Sequence, residues 1–249
     1  MKKFLVLIAL VFAFTVFAQN TEAAEGTDPY GNRIADGGED SGYFPLYSML
    51  PSEGIYLYGV KPYGWILYRD GKGTYFDWPG ITPRFILPEM LYRDFDGSGE
   101  RDLAVLLYVG SGTGFSMMDL HILTVEENEN DWSKPIYTDH ALLGKDVDEW
   151  MDEKISLVPE KENNEYRLDF CGKNYTVKLN VGLSEIGEVT DLGYGDIVSF
   201  SFDGSRIKTT IAVGAFFESM MLEYFGDIEA DVVFDGKKFK LENHTFVLY

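Results

Sequence analysis

Three aspartates and two glycines stand directly before an apolar stretch in residues 94–109, DFDGSGERDLAVLLYV. The aspartates are Asp94, Asp96 and Asp102, with Gly97 and Gly99 between them. Ca²⁺ takes about six to eight oxygen ligands from carboxylates, carbonyls and hydroxyls, in flexible geometry. The spacing therefore predicts a calcium loop that ends where a buried strand begins. The alternative is an acidic turn that only caps the strand.

The loop shares part of its spacing with an EF-hand loop but is not one. Counted from Asp94, oxygen-bearing residues occupy the first, third, fifth and ninth positions, and the glycine at the sixth position permits a sharp turn. The twelfth position is Val105, where an EF-hand needs a bidentate glutamate, and a strand pattern follows instead of a helix. Asp102 is therefore expected to close the loop. The predicted metal ligands are Asp94, Asp96, Ser98, the backbone carbonyl of Glu100, and Asp102.

Residues 94–109 resemble the short calcium loops of FG-GAP and VCBS-type repeats, which follow the pattern D-x-D-G-x-G-x-x-D-[LI]. The next residues, YVGSGTGFSMMDLHILTVE, resemble small secreted proteins of Gram-positive bacteria that carry one such loop. The resemblance implies a β-rich extracellular module with calcium ligands at these same positions. Ser98 departs from the pattern, which usually has Asp or Asn there. Because a neutral hydroxyl is a weaker ligand, we expect a dissociation constant of about 10⁻⁴ to 10⁻³ M.

The rest of the chain beyond residue 42 shows mostly strand patterns. Asp-Gly pairs that begin at Asp70, Asp203 and Asp235 predict tight hairpin turns, and another hairpin is expected to turn near Gly172 and Asn174. Residues 146–154 predict a helix, and residues 216–225 suit a short helix or a strand. Propellers need roughly 40 to 50 residues per blade, so this chain is too short for a complete ring. We therefore predict a mainly β fold of antiparallel hairpins, in a compact sheet assembly or a partial propeller-like stack, with one or two short helices.

The N-terminal residues predict export. Lys2 and Lys3 precede an apolar run at residues 4–18, and small residues suitable for cleavage follow it, so residues 1–24 are predicted to be a signal peptide. This run of 15 residues, all apolar except Thr15, is shorter than the roughly 20 needed to span a bilayer. Residues 25–42 are predicted to form a flexible leader, and residues 43–249 a single β-rich domain that could divide near residues 127–145. We expect a secreted protein, periplasmic in a Gram-negative cell, without membrane insertion after cleavage.

The charge and the cysteine content limit the partners. The chain has 21 basic and 41 acidic residues, a net charge of -20, which repels nucleic acid and attracts cations and basic partners. No basic stripe is present to neutralise phosphates, so a nucleic-acid partner is not expected. Cys171 is the only cysteine, so no intramolecular disulfide can form. A bound metal could provide that stabilisation instead.

Other motifs give weaker indications. The glycine-rich residues 110–114 lie between two strands and lack the Lys-Ser/Thr pair of a phosphate loop, so a wide hairpin loop is expected. Asp119 and His121 should share one face of a strand, and a hydrogen-bonded Asp–His pair is favoured over a transition-metal pair. The three histidines fit no nucleophile-elbow or zincin pattern.

Two functions fit these patterns. The preferred one is a secreted, calcium-stabilised β module that binds a protein or carbohydrate surface without catalysis. The alternative is a secreted hydrolase that acts on glycans with two carboxylates about 5 to 10 Å apart, although an acidic chain always offers such pairs. Several aromatic residues could stack on sugar rings, or else fill a β core: Tyr56, Tyr58, Tyr63, Trp65 and Trp78.

Overall fold

The fold is mainly β, as predicted. A computed structural model of the protein describes residues 28, 44–60, 64–82, 86–126, 136–152, 154–160, 165–179, 187–219 and 222–249. About 70% of the structure is strand and 5% is helix, and among the described residues the strands form open sheets. The predicted signal peptide lies outside the described residues. Of the predicted leader only Asp28 is described, and its buried carboxylate accepts a hydrogen bond from the Tyr58 hydroxyl.

The first four strands form an antiparallel sheet in chain order, here called the N-terminal sheet. Its strands are β1 (Leu46–Leu50), β2 (Ile55–Gly59), β3 (Trp65–Arg69) and β4 (Lys72–Phe76), and a 3₁₀ turn at Pro51–Glu53 joins β1 to β2. Asp70 and Gly71 both have positive φ, 52° and 78°. The β3–β4 hairpin therefore turns where the Asp-Gly pair predicted.

Eight strands form the large sheet, in the order β15-β14-β13-β12-β7-β6-β5, and β8 also pairs with β7. Their bounds are β5 (Glu89–Arg93), β6 (Asp102–Gly112), β7 (Phe115–Glu126), β8 (Ile136–Leu142), β12 (Val189–Asp203), β13 (Arg206–Phe217), β14 (Leu222–Phe234) and β15 (Phe239–Leu248). The pairs are antiparallel except β7 with β12, which is parallel and short. The β12–β13 hairpin turns at Gly204 and Ser205, one residue later than predicted, because Asp203 still pairs with Arg206. The Asp235–Gly236 pair lies in the β14–β15 turn, as predicted.

A three-stranded sheet, the small sheet, and one helix complete the described part of the chain. The small sheet has the order β11-β10-β9, with β9 (Ile155–Glu160), β10 (Glu165–Phe170) and β11 (Lys173–Lys178). Its second hairpin turns at Cys171 and Gly172, which both have positive φ, while Asn174 already lies in β11. Helix α1 (Gly144–Asp152) begins two residues before the predicted start. The described residues of 216–225 lie in β13, β14 and the turn between them, so the strand alternative is correct there.

Three apolar clusters hold the sheets together. The largest lies between the large sheet, α1 and the small sheet. The second lies between the N-terminal sheet and strands β5 to β7. The third covers the other face of the N-terminal sheet. Shared cores of this kind match the compact sheet assembly. No helix in the described part of the chain is long and apolar enough to cross a membrane.

The aromatic residues that could have formed a sugar-stacking face belong to these cores. Tyr56, Tyr58, Trp65 and Trp78 are 4%, 2%, 4% and 7% exposed, so the alternative of a β core is correct for all four. Strands β2 and β3, which carry the first three, are covered on both faces by the second and third clusters, and Trp78 packs in the second cluster. Tyr63 lies outside the described residues.

Candidate metal centre

The predicted calcium loop is the connection of a β-hairpin. Strand β5 ends at Arg93, which pairs with Asp102 at the start of β6, and residues 94–101 link the two strands. Gly97 and Gly99 have φ of 77° and 94°, a region that residues with a Cβ rarely adopt, so these glycines allow the loop to curl back on itself. One carboxylate therefore stands at each end of a short loop.

The curled loop brings the three predicted aspartates together. Asp94, Asp96 and Asp102 each offer a carboxylate oxygen, and these oxygens lie within 4.8 Å of one another. Asp94 and Asp96 are half-buried, whereas Asp102 is 2% exposed. Oxygen ligands of one divalent cation have to converge in this way.

Backbone N–H groups fix the orientation of the first two acids. Asp94 accepts hydrogen bonds from the N–H of Gly97, at 2.7 Å, and of Gly99, at 3.0 Å. Asp96 accepts one from the N–H of Ser98 at 2.8 Å, and the Ser98 hydroxyl accepts one from the N–H of Glu100 at 3.2 Å. These bonds hold the carboxylates inside the curl of the loop without neutralising their charge.

Asp102 is the aspartate whose ionised form is destabilised by its surroundings. Burial is the main cause that raises the pKa of its carboxyl, and the negative charges of Asp96 and Asp94 raise it further. The N–H groups of Phe95, at 2.9 Å, and of Asp96 act in the opposite direction. The pKa is raised overall, so these hydrogen bonds do not compensate for the desolvation and the repulsion.

The nearest basic side chain of the loop is directed elsewhere. Arg101 forms an ion pair with Glu53 at 3.0 Å, and its guanidinium lies 4.4 Å from the centre of the Tyr92 ring. Arg69 lies 4.8 Å from the centre of that same ring. Among the described residues, no Lys or Arg forms an ion pair with the three aspartates. The cluster therefore has the charge and the geometry for a hard cation.

The two remaining predicted ligands lie in the same loop. Ser98 and Glu100 are both exposed. The structure brings Asp94, Asp96 and Asp102 together, and ligation by Ser98 and by the Glu100 carbonyl stays a prediction.

The predicted Asp119–His121 pair is wrong, because each residue has another partner. Asp119 accepts a hydrogen bond from the N–H of Gly144 at 2.9 Å, at the start of α1. His121 bonds through Nδ1 to Oδ2 of Asp139 at 2.9 Å, and Asp139 also accepts the indole N–H of Trp78 at 2.8 Å. Asp139 lies on the neighbouring strand β8, so spacing within β7 gave no indication of it.

The glycine-rich residues 110–114 also differ from the prediction. Gly110, Ser111 and Gly112 are paired residues of β6, and the chain turns only at Thr113 and Gly114. A tight hairpin therefore replaces the expected wide loop. The Tyr224 hydroxyl donates a hydrogen bond to the carbonyl of Gly114 at 2.9 Å, which ties the turn to β14.

Comparison of the chain with protein-family models, with curated proteins and with solved structures gives no match. The resemblance to FG-GAP and VCBS-type loops therefore depends on residues 94–109 alone and stays a prediction.

Proposed function

We propose that this protein is a secreted, calcium-stabilised β module that binds a protein or carbohydrate surface and performs no catalysis. One observation carries the calcium proposal. Three carboxylates converge within 4.8 Å at the start of a core strand, and one of them, Asp102, is 2% exposed. In the described part of the chain, no Lys or Arg forms an ion pair with these aspartates.

The position of the loop explains why an ion would stabilise the fold. Residues 103–107 of β6 follow it directly and belong to the two largest apolar clusters. Repulsion between the aspartates therefore acts on a strand that both cores share. A bound Ca²⁺ removes that repulsion and fixes the corner between β5 and β6.

The effect is expected to be moderate. Ser98 supplies a neutral oxygen where similar loops have a carboxylate or an amide, so we expect weak affinity. At a free calcium concentration ten times the dissociation constant, binding stabilises the folded state by about 1.4 kcal/mol. The ion strengthens the fold and is not required for it.

The three histidines make contacts with neighbouring side chains inside the fold. His121 forms a hydrogen bond with Asp139, and the His140 Nε2 lies 3.1 Å from the hydroxyl oxygen of Thr124. His244 packs edge-on against the rings of Trp150 and Phe170. The acidic cluster itself lies in a surface hairpin loop, and no observation specifically favours the hydrolase alternative.

The charge of the chain indicates the kind of partner. A net charge of -20 attracts surfaces that carry basic groups. The burial of Trp65 and Trp78 removes the sequence-based support for sugar stacking, so a basic protein surface is the favoured partner within this proposal. Pull-down of the mature protein with a cell-wall fraction and with basic proteins, with and without calcium, tests the partner.

Thermal unfolding tests the calcium proposal. We expect the wild-type protein to melt about 3 to 6 °C higher in millimolar calcium than in excess chelator, because 1 kcal/mol shifts the melting temperature of a domain of this size by about 2 to 4 °C. The double variant Asp96→Ala, Asp102→Ala should not respond. A control variant, Asp77→Asn with Glu89→Gln, removes the charge of two exposed acids outside the loop and should respond like the wild type. Equal responses in all three proteins would place the calcium effect elsewhere, and a wild type without any response would exclude the proposal.

A further inference from the structure

Strands β8 and β15 border a cavity of about 520 Å³. In the described part of the chain, β8 pairs only with β7, and β15 only with β14, so each strand leaves one backbone edge unpaired. The ring of His140 on β8 contacts that of Phe239 on β15, with centroids 5.8 Å apart. The space between the strands is here called the edge cleft. Its walls are residues 139–142 and 238–241, and its floor is formed by Val147, Trp150 and Phe200.

The edge cleft suits an apolar ligand body. The floor and the inner walls carry aliphatic and aromatic side chains from four elements: Leu142, Val147, Trp150, Phe200, Phe239 and Leu241. Small-molecule sites typically have a volume of roughly 300 to 1,000 Å³ and a mostly apolar lining with a few polar groups. The cavity volume lies within that range.

The rim of the edge cleft carries positive charge, on a chain where acids outnumber bases two to one. Lys238 and Lys240 line it on either side of the buried Phe239 in the sequence. The Nζ of Lys240 forms ion pairs with the carboxylate oxygens of Glu242 at 2.8 Å and Asp235 at 3.7 Å. Lys238 has no ion pair among the described residues and is exposed.

The one acid in the lining is already engaged. Oδ2 of Asp139 accepts the indole N–H of Trp78 at 2.8 Å and is bonded to His121 at 2.9 Å, and both of these partners belong to the second core and its edge. In the lining, the ammonium group of Lys238 is the charged group that forms no ion pair among the described residues. It favours a ligand whose polar end is anionic.

We propose that the edge cleft binds a small amphipathic carboxylate, with an apolar chain against Trp150 and Phe200 and its carboxylate at Lys238. A strand inserted between β8 and β15 is disfavoured. Such a strand needs its neighbours about 9 to 10 Å apart, whereas the His140 and Phe239 rings already meet across the cleft.

Calorimetric titration with three eight-carbon probes tests this proposal: octanoate, octanol and octylammonium. All titrations are made in excess chelator, so the result does not depend on the calcium loop. We expect octanoate to bind most tightly and octylammonium least. Tighter binding of octylammonium, or no binding of octanoate at millimolar concentration, would overturn the proposal.

Two charge-reversal variants test whether octanoate binds at the rim of the edge cleft. Lys238→Glu should weaken octanoate binding by about tenfold, because the variant replaces an attraction with a repulsion, and it should leave octanol binding unchanged. Lys72→Glu makes the same change in net charge at an exposed position on β4 and should alter octanoate binding by less than twofold. Equal weakening by both variants would mean that net charge alone is responsible and would contradict the assigned site.

A fluorescence measurement locates the apolar chain. Octanoate should change the tryptophan emission of the wild-type protein, because Trp150 lines the cleft. Trp150→Phe keeps an aromatic ring and should retain octanoate binding by calorimetry while losing the change in emission. An unchanged emission response in this variant would place the ligand elsewhere.

Discussion

Replacement of Asp139 by alanine should destabilise the protein strongly, although the Asp139 side chain is 26% exposed. Its Oδ2 accepts a hydrogen bond from the Trp78 indole at 2.8 Å and is bonded to His121 Nδ1 at 2.9 Å. The rings of Trp78 and His121 stack with centroids 4.1 Å apart, and they are 7% and 2% exposed. Neither ring can turn its N–H toward solvent without breaking that stack.

The expected loss in the free energy of unfolding follows from the two hydrogen-bond donors, Trp78 and His121, that would lose their acceptor. A buried donor without a partner costs about 1 to 3 kcal/mol. Trp78 and His121 together give about 2 to 6 kcal/mol, and we expect about 2 to 4 kcal/mol because water can enter beside the part-exposed Asp139. His121 Nε2 has no hydrogen-bond partner within the described residues, so the variant would leave the whole imidazole unsatisfied. The melting temperature should fall by roughly 5 to 15 °C.

Urea unfolding followed by circular dichroism, in chelator, measures this change. Asp139→Asn keeps a carbonyl oxygen for one donor and should cost less than Asp139→Ala. Asp77→Ala removes an exposed carboxylate whose hydrogen bond from Tyr75 is long, 3.3 Å, and should change the free energy of unfolding by less than about 0.5 kcal/mol. If Asp139→Ala were as mild as Asp77→Ala, the hydrogen bonds to Trp78 and His121 would not be stabilising the second core.

Three further predictions concern other buried groups. Folding raises the pKa of the Asp102 carboxyl above 3.8. The ionised carboxylate therefore lowers the free energy of unfolding of the calcium-free protein at neutral pH. This loss disappears as the pH falls through the raised pKa toward 3.8, because the carboxyl becomes protonated. In chelator, Asp102→Asn should therefore be more stable than the wild type at pH 7, and urea unfolding at lower pH should show this advantage disappear below about pH 4. Trp65→Ala should cost about 3 to 5 kcal/mol in the same assay, because the 4% exposed ring fills the second core, and a fully stable variant would contradict that. Asp119→Ala should cost about 1 to 2 kcal/mol and speed amide exchange in the first turn of α1, because its carboxylate accepts the Gly144 N–H.

The parts of the fold that local sequence determines were predictable. Asp-Gly pairs indicated three hairpin turns, the one at residue 203 to within one residue, because glycine adopts positive φ readily. The acidic, amphipathic residues 146–154 indicated α1 to within two residues at each end. The parallel contact between β7 and β12 was not predictable, since these strands are far apart in the chain and pair over two residue pairs only.

The same distinction applies to the candidate site. Asp94, Asp96 and Asp102 were found from spacing, because a hairpin loop of eight residues necessarily brings them together. Asp139 was missed, because its contact with His121 depends on the register of β8 against β7. The sequence left open whether Trp65 is exposed or buried, because its strand is covered on both faces and only the packing of the sheets reveals this.

Calcium titration of the mature protein followed by ¹H–¹⁵N NMR tests the proposed metal loop most directly. The N–H groups of Gly97 and Gly99 donate to the Asp94 carboxylate, so an ion at the aspartates must change their resonances. We expect these two resonances to shift with one dissociation constant of about 10⁻⁴ to 10⁻³ M, and to stay unchanged in the Asp96→Ala, Asp102→Ala variant. Constant resonances for Gly97 and Gly99 in the wild type up to 20 mM calcium, about twenty times the weakest affinity expected, would show that the loop is an acidic turn and not a calcium site.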